Sequence, residues 1–352
     1  MIDVSRENLE QWVRDGNAVT EQSMHAWDLT SVDLRGGIFQ NVDFSRAVMT
    51  EADLRDCLFI ECIFDSTMLS GVNLEDSVFQ KCHLQHADAR KSNWKEVSCI
   101  ECVLHGVTFS DCELEGTSFL ESSINACNFR ACSIKQSVFV DGAIVRPDFS
   151  DARFERSALL RADLRHSKLD GATFNLCVMN GVILSGMKLP GATFNLCQFH
   201  GADLSDCDLS NAHLNQCGFQ EANLQNTDLS GAELTNALFI NADLQRAKFR
   251  LALIQSGIFN GALAEGADFT GANLYQSIWE NARCREIIFE DAELTYSDFS
   301  HADLAFSRFG GASMFRAQLH RILDEGADIP NRIEALGDDK DRLEAELWKP
   351  AL

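Results

Sequence analysis

The chain has 352 residues, with 53 acidic against 30 basic side chains and a formal charge of −23, a balance that argues against gripping DNA, RNA or an anionic membrane surface. No positively charged start leads into an apolar stretch, and no apolar run approaches the roughly 20 residues needed to cross a bilayer, so a cytoplasmic protein without membrane insertion is expected. Thirteen cysteines, an odd number in a long chain with no export signal, read as reduced thiols and not as a disulfide framework.

In chain order, residues 1–26 read as an N-terminal helical cap. Ser5 can cap a short helix running to about Asp15, with Leu9, Trp12 and Val13 as its apolar face and Gly16 as its stop.

From Leu29 every fifth residue is apolar: Leu29, Leu34, Phe39, Phe44, Met49, Leu54, Phe59 and Phe64 open a series that stays in phase to Leu319. Only Ala89, Cys99, Ala264 and Cys284 are small at this central position. Two residues before each centre the side chain is nearly always small, as at Ala47, Ala52, Cys57, Cys62, Cys82 and Ala202. A period of five fits neither a helix nor a flat strand, so the chain must turn at every unit. Glycine, asparagine and aspartate recur where turn geometry favours them. A longer period overlies the first, because Gly171 to Cys177 recurs unchanged at Gly191 to Cys197, 20 residues on. The aromatic centres Phe39, Phe59, Phe79, Phe119, Phe139 and Phe199 fall in one column of that 20-residue period.

The triplets Ala52-Asp53-Leu54, Ala162-Asp163-Leu164, Ala202-Asp203-Leu204 and Ala242-Asp243-Leu244 resemble the A(D/N)LXX signature of pentapeptide-repeat proteins. That resemblance covers residues 27–319 and implies an all-β solenoid: a right-handed quadrilateral β-helix with four units per coil and short helical caps at both ends. At the spacing of hydrogen-bonded strands, roughly 15 coils would make a rod on the order of 70 Å long.

After Leu319 the five-residue pattern stops, and residues 320–352 read as a C-terminal helical cap or as a docking or dimerisation tail. Asp338 to Trp348 has acids in its first turn and the periodicity of an amphipathic helix. Ile333, Leu336, Leu343, Leu347 and Trp348 give it an apolar side. The resemblance adds that relatives form dimers through this end.

No residue pattern points to a catalytic, cofactor-binding or metal-ligating site, so neither enzyme nor cofactor is expected. All thirteen cysteines occupy inward positions, where buried thiols act as small apolar fillers. The nine histidines are scattered, with His83 and His86 the one close pair, and a filled solenoid leaves no concave pocket for a catalytic triad.

Two surface features carry functional meaning. The outward positions flanking the Phe-rich centres include Ile60, Ile100, Leu120, Val138, Val140, Leu160, Val178, Leu238, Ile240 and Ile258, an apolar face of the kind that marks an interface. A non-enzymatic, protein-binding scaffold is therefore the leading expectation. The second feature is acidity: the resemblance implies, as an alternative, a DNA-mimicking modulator of DNA gyrase or a related topoisomerase. Many acids merely occupy the motif position before the centre, however, and Arg130, Lys135, Arg146, Arg153, Arg156, Arg161 and Arg165 form a positive band. A third reading, by family analogy alone, is an effector or adaptor of a bacterial secretion system.

Overall fold

A computed structural model describes residues 5–140 and 144–348. The chain divides into two compact units, residues 1–183 and 184–352, each a parallel-stranded β-solenoid. Among the described residues the bridges are parallel, and all but one join residues 20 apart. Within a single coil the bridges Asp43↔Ile63, Val48↔Met68, Asp53↔Asn73 and Leu58↔Val78 supply four sides.

The corners explain the five-residue period. In most units the small inward residue donates its N–H to the carbonyl of the preceding centre, as Ala47 does to Phe44 at 3.0 Å. The residue before it lies in the left-handed region, with φ of 60° at Arg46. A positive φ at the third residue of a four-residue turn is the type II geometry.

In the first unit one side widens into true strands. Val19–Thr20, Ile38–Gln40, Leu58–Ile60, Val78–Gln80, Ser98–Ile100, Ser118–Leu120, Val138–Val140 and Ala158–Leu159 form one eight-stranded sheet. A second side carries Glu113–Glu115, Ser133–Lys135, Arg153–Glu155 and Thr173–Asn175, and a third carries Val103–His105, Ser123–Asn125 and Ile144–Val145. Strand-bearing turns number about nine against the roughly 15 coils expected. The second unit keeps the register almost wholly through single bridges, such as Leu238↔Ile258↔Ile278, because its tight turns leave one residue per side extended.

The core is a set of ladders. Phe39, Phe59 and Phe79 stack at 5.2 and 4.8 Å between ring centroids, and Phe44 stacks on Phe64 at 4.9 Å. In the second unit Phe199, Phe219, Phe239 and Phe259 do the same at 4.8–5.3 Å. Buried hydroxyls and thiols tie coils together: Thr67 Oγ1 donates to the Phe44 carbonyl at 2.8 Å, Ser77 Oγ to Leu54 at 2.6 Å and Cys57 Sγ to Leu34 at 3.1 Å. All thirteen cysteines are buried, as their phase in the repeat requires.

The N-terminal helix, α1, spans Leu9–Arg14, later and shorter than expected. Asn8 takes the capping place, and its side-chain oxygen accepts the Ser5 N–H at 2.7 Å. Leu9 and Val13 are buried, while Trp12 is half-buried with its indole N–H on the Ala18 carbonyl. Glu10 accepts the Asp33 N–H of the first full coil at 3.2 Å, which gives an otherwise open edge a partner.

Candidate protein-interaction surface

The eight-stranded sheet sets the apolar positions side by side. On its outer surface Ile100, Leu120 and Val140 are register partners on three successive coils. Leu160 follows them, its N–H on the Phe139 carbonyl at 3.1 Å. One column over, Val138 pairs with Ala158, and Ala158 bridges Val178. Nearer the N-terminus Ile38, Leu58 and Val78 form a second run with Ile60 beside it. Ser98 and Ser118, hydrogen-bonded to each other at 3.2 Å, separate the two runs.

These side chains are less open than outward alternation alone suggests. Val178 is 37% exposed and Ile38 44%, while Ile60, Ile100, Leu120, Val138, Val140 and Leu160 are half-buried. At strand spacing each is flanked above and below by the same position of neighbouring coils, which covers its sides and leaves its tip free.

In the second unit Leu238, Ile258 and Ile278 form a shorter run on three successive coils, with Ile240 beside it, all half-buried. More exposed apolar groups of that unit's repeat region lie elsewhere: Leu251 is 70% exposed, and Tyr296, Phe306 and Phe315 are also open. Leu251, Tyr296 and Phe306 occupy left-handed corner positions. Alternation about the centres overlooks them, although a bulky residue at a corner is itself a readable signal.

The acids are largely occupied. Asp43, Asp148, Asp208 and Asp298 each accept the backbone N–H two residues on, at 2.8–3.1 Å, a local turn that explains aspartate before the centre. Asp33, Asp53, Asp88 and Asp163 each take in addition two hydrogen bonds from the arginine two residues on. The positive band is answered in kind, with Arg130 on Asp151 at 3.1 Å and Arg156 on Glu155 at 3.8 Å.

Family models described as "Pentapeptide repeat region" match residues 32–108, 102–175, 167–249 and 192–269, and one described as "Pentapeptide repeats (8 copies)" matches residues 267–304. The chain belongs to the pentapeptide-repeat family. No curated protein matches it. Among solved structures it is similar to HetL, a pentapeptide repeat protein involved in heterocyst differentiation regulation from the cyanobacterium Nostoc sp. strain PCC 7120. The identity is 17%, covering 81% of this chain and 97% of HetL, with a TM-score of 0.25. Full-length QnrB1, a plasmid-mediated fluoroquinolone resistance protein, matches at 19% identity over 62% of this chain and 90% of its own, with a TM-score of 0.18. A pentapeptide repeat protein of the Arabidopsis thaliana thylakoid lumen matches at 24% identity over 27% and 63%, with a TM-score of 0.19.

The C-terminal segment of this repeat protein departs from the sequence picture. The coil path continues past Leu319 through the bridges Asp303↔Leu323 and Arg308↔Asp328, and Leu336 then pairs with Gln318. A single 3-10 turn, Arg332–Glu334, precedes the helix α2, Lys340–Leu347, whose N-cap Asp339 accepts the Arg342 N–H at 3.0 Å. Polar groups hold α2 along three successive coils. Arg342 reaches Glu280 at 2.8 Å and Ser300 at 3.3 Å, and Glu346 meets His301, His320 and Arg321 at 3.1, 3.4 and 3.0 Å. The apolar side expected to seal the end faces outward: Ile333 is 96% exposed, Trp348 73%, and Leu336 and Leu347 are open, with only Leu343 half-buried. Among the described residues no helix is long and apolar enough to cross a membrane.

Proposed function

We propose that this pentapeptide-repeat protein is a non-enzymatic scaffold that binds a protein partner in the cytoplasm through the apolar stripe of its first unit. The observation that carries this reading is the contiguous run Ile100, Leu120, Val140 and Leu160 on the outside of a chain with charge −23. Nothing in the fold demands apolar tips there, since the same sheet tolerates Gln40, Gln80, Ser98 and Ser118 at equivalent outward positions. The exposed side of α2 offers a second contact, for a partner or a second copy.

The alternative, modulation of gyrase or topoisomerase by an acidic surface, is supported by the charge and by family membership. It is weakened by the acids already committed to turns and guanidinium pairs. The secretion-associated reading rests on family analogy and on the exposed tail alone.

Light scattering and a gyrase supercoiling assay on the same samples separate these readings. The samples are wild type, Leu120→Asp/Val140→Asp, and a truncation after Gly337. The scaffold reading expects no inhibition of supercoiling by any sample, and either self-association lost only in the face variant or a wild-type monomer whose face is free. Salt-sensitive inhibition that survives the face substitutions would replace it with the DNA-mimic reading.

A further inference from the structure

Two histidines and a glutamate that are far apart in sequence converge beside the last coils. The His301 N–H donates to the His320 carbonyl at 2.8 Å, so the two residues sit on neighbouring turns, with imidazole rings edge to face at 5.3 Å. Glu346 of α2 lies between them. Its Oε1 is 3.1 Å from His301 Nε2 and its Oε2 is 3.4 Å from His320 Nε2, and the three ligand atoms lie within 4.8 Å of one another. Zinc bonds of about 2.0–2.2 Å to nitrogen and oxygen in a tetrahedron place neighbouring ligand atoms roughly 3.3 Å apart, close to the two imidazole–carboxylate contacts.

We propose that His301, His320 and Glu346 form a zinc site that pins the C-terminal helix to the solenoid. Two imidazoles and a carboxylate are a sufficient protein set for Zn2+, with water in the fourth position. The His320 side chain is fully buried while those of His301 and Glu346 are 25% exposed, which leaves one open side for entry. Charge is compatible. Glu346, Glu280 and Asp338 surround the site against Arg321 and Arg342, a net of −1 with neutral histidines. Arg321 and Arg342 hydrogen-bond the glutamate oxygens and orient them, as outer partners of a ligating carboxylate do.

The helix has a reason to need such a pin. An eight-residue helix is marginal alone, and α2 buries no residue, so the hydrophobic effect does not hold it. Loading the metal also has a local consequence. The Asp339 N–H donates to His320 Nδ1 at 3.1 Å, which leaves the imidazole proton on Nε2. To ligate through Nε2, the neutral imidazole must carry its proton on Nδ1, where it faces the Asp338 carboxylate 3.6 Å away and the Asp339 amide gives way. Zinc occupancy and the path of residues 338–339 are thus coupled.

Titration calorimetry of the chelator-stripped full chain with zinc chloride tests this, alongside tryptic cleavage within Lys340–Arg342. One zinc per chain and slowed tail cleavage are expected for wild type. His301→Ala and Glu346→Gln should each weaken binding by about 100-fold or more, and Asp338→Asn by about 10-fold, with unchanged circular dichroism. No zinc uptake by wild type, or equal affinity in His301→Ala, would overturn the assignment and leave Glu346 an ion-pair clasp.

Discussion

At the scale of single residues the corner is the decisive feature, because nearly every described unit drives one residue into the left-handed region. Glycine does this freely, and asparagine and aspartate at little penalty, but Leu176, Leu196, Leu251, Tyr296 and Phe306 do it as well. An L side chain there costs about 1–2 kcal/mol, and Leu251, being mostly exposed, regains little of it by burial. Leu251→Gly should therefore raise stability by about 1 kcal/mol in urea unfolding; an unchanged or lower midpoint would count against this account of the corner. The inward small residue is equally constrained. Burial pushes the thiols of Cys57 and Cys127 up to about 12 and those of Cys112 and Cys207 to about 11. At pH 8, Ellman's reagent should modify none of the 13 thiols rapidly in the native protein and all of them in denaturant. A fast-reacting native thiol would reveal a coil that opens.

At the scale of elements, the irregular units are volume exchanges between adjoining sides. Phe79 and Phe119 are the register partners of Cys99, whose side chain is too small to continue their ladder. Trp94, the neighbouring centre, fills the gap: it stacks on Phe79 at 5.7 Å, meets Phe109 edge-on at 5.0 Å, and places its indole N–H on Ser92 Oγ at 2.7 Å. Trp279 stands beside Cys284 in the same way, stacked on Phe259 at 3.9 Å with its N–H on Ser277. Trp94→Leu alone should cost about 3 kcal/mol through the cavity it leaves, and Cys99→Phe alone about 1–3 kcal/mol through overpacking. Together they restore a leucine between Leu74 and Leu114 and a phenylalanine between Phe79 and Phe119, so the double variant should unfold at a higher urea concentration than Trp94→Leu. Simple additivity of the two losses would refute the exchange. The small centres were visible in the sequence; what replaced their volume was not, because the compensating ring comes from an adjoining side.

At the scale of the whole molecule, the charge of −23 suggests a surface dominated by repulsion, yet the short contacts point the other way. The guanidinium of Arg35 holds the Asp33 carboxyl down at about 2, and Arg55, Arg90 and Arg165 lower Asp53, Asp88 and Asp163 likewise. A depressed carboxylate contributes its stability fully above the unfolded value near 4 and loses it as pH falls through the folded value. The urea midpoint should therefore hold from pH 7 to about 4.5 and fall toward pH 2. Relief of repulsion among screened surface acids acts over a Debye length of about 8 Å and favours the opposite trend, but contacts of 2.7–2.8 Å prevail. A midpoint that rises on acidification would show that repulsion dominates.

The family, the parallel solenoid, the 20-residue coil and the burial of every cysteine follow from the sequence alone, because one residue in five must be large and inward and the register never slips. Tertiary structure decided the rest. It showed that the apolar stripe is half-covered by its own neighbours, since coils stack at strand spacing and each tip is flanked by its register partners. It carried the coil past Leu319, where backbone pairing persists after apolar centres have stopped. It brought His301, His320 and Glu346 into contact through a tail held by polar groups, a convergence that no five-residue pattern encodes because the tail meets the solenoid across the repeat and not along it.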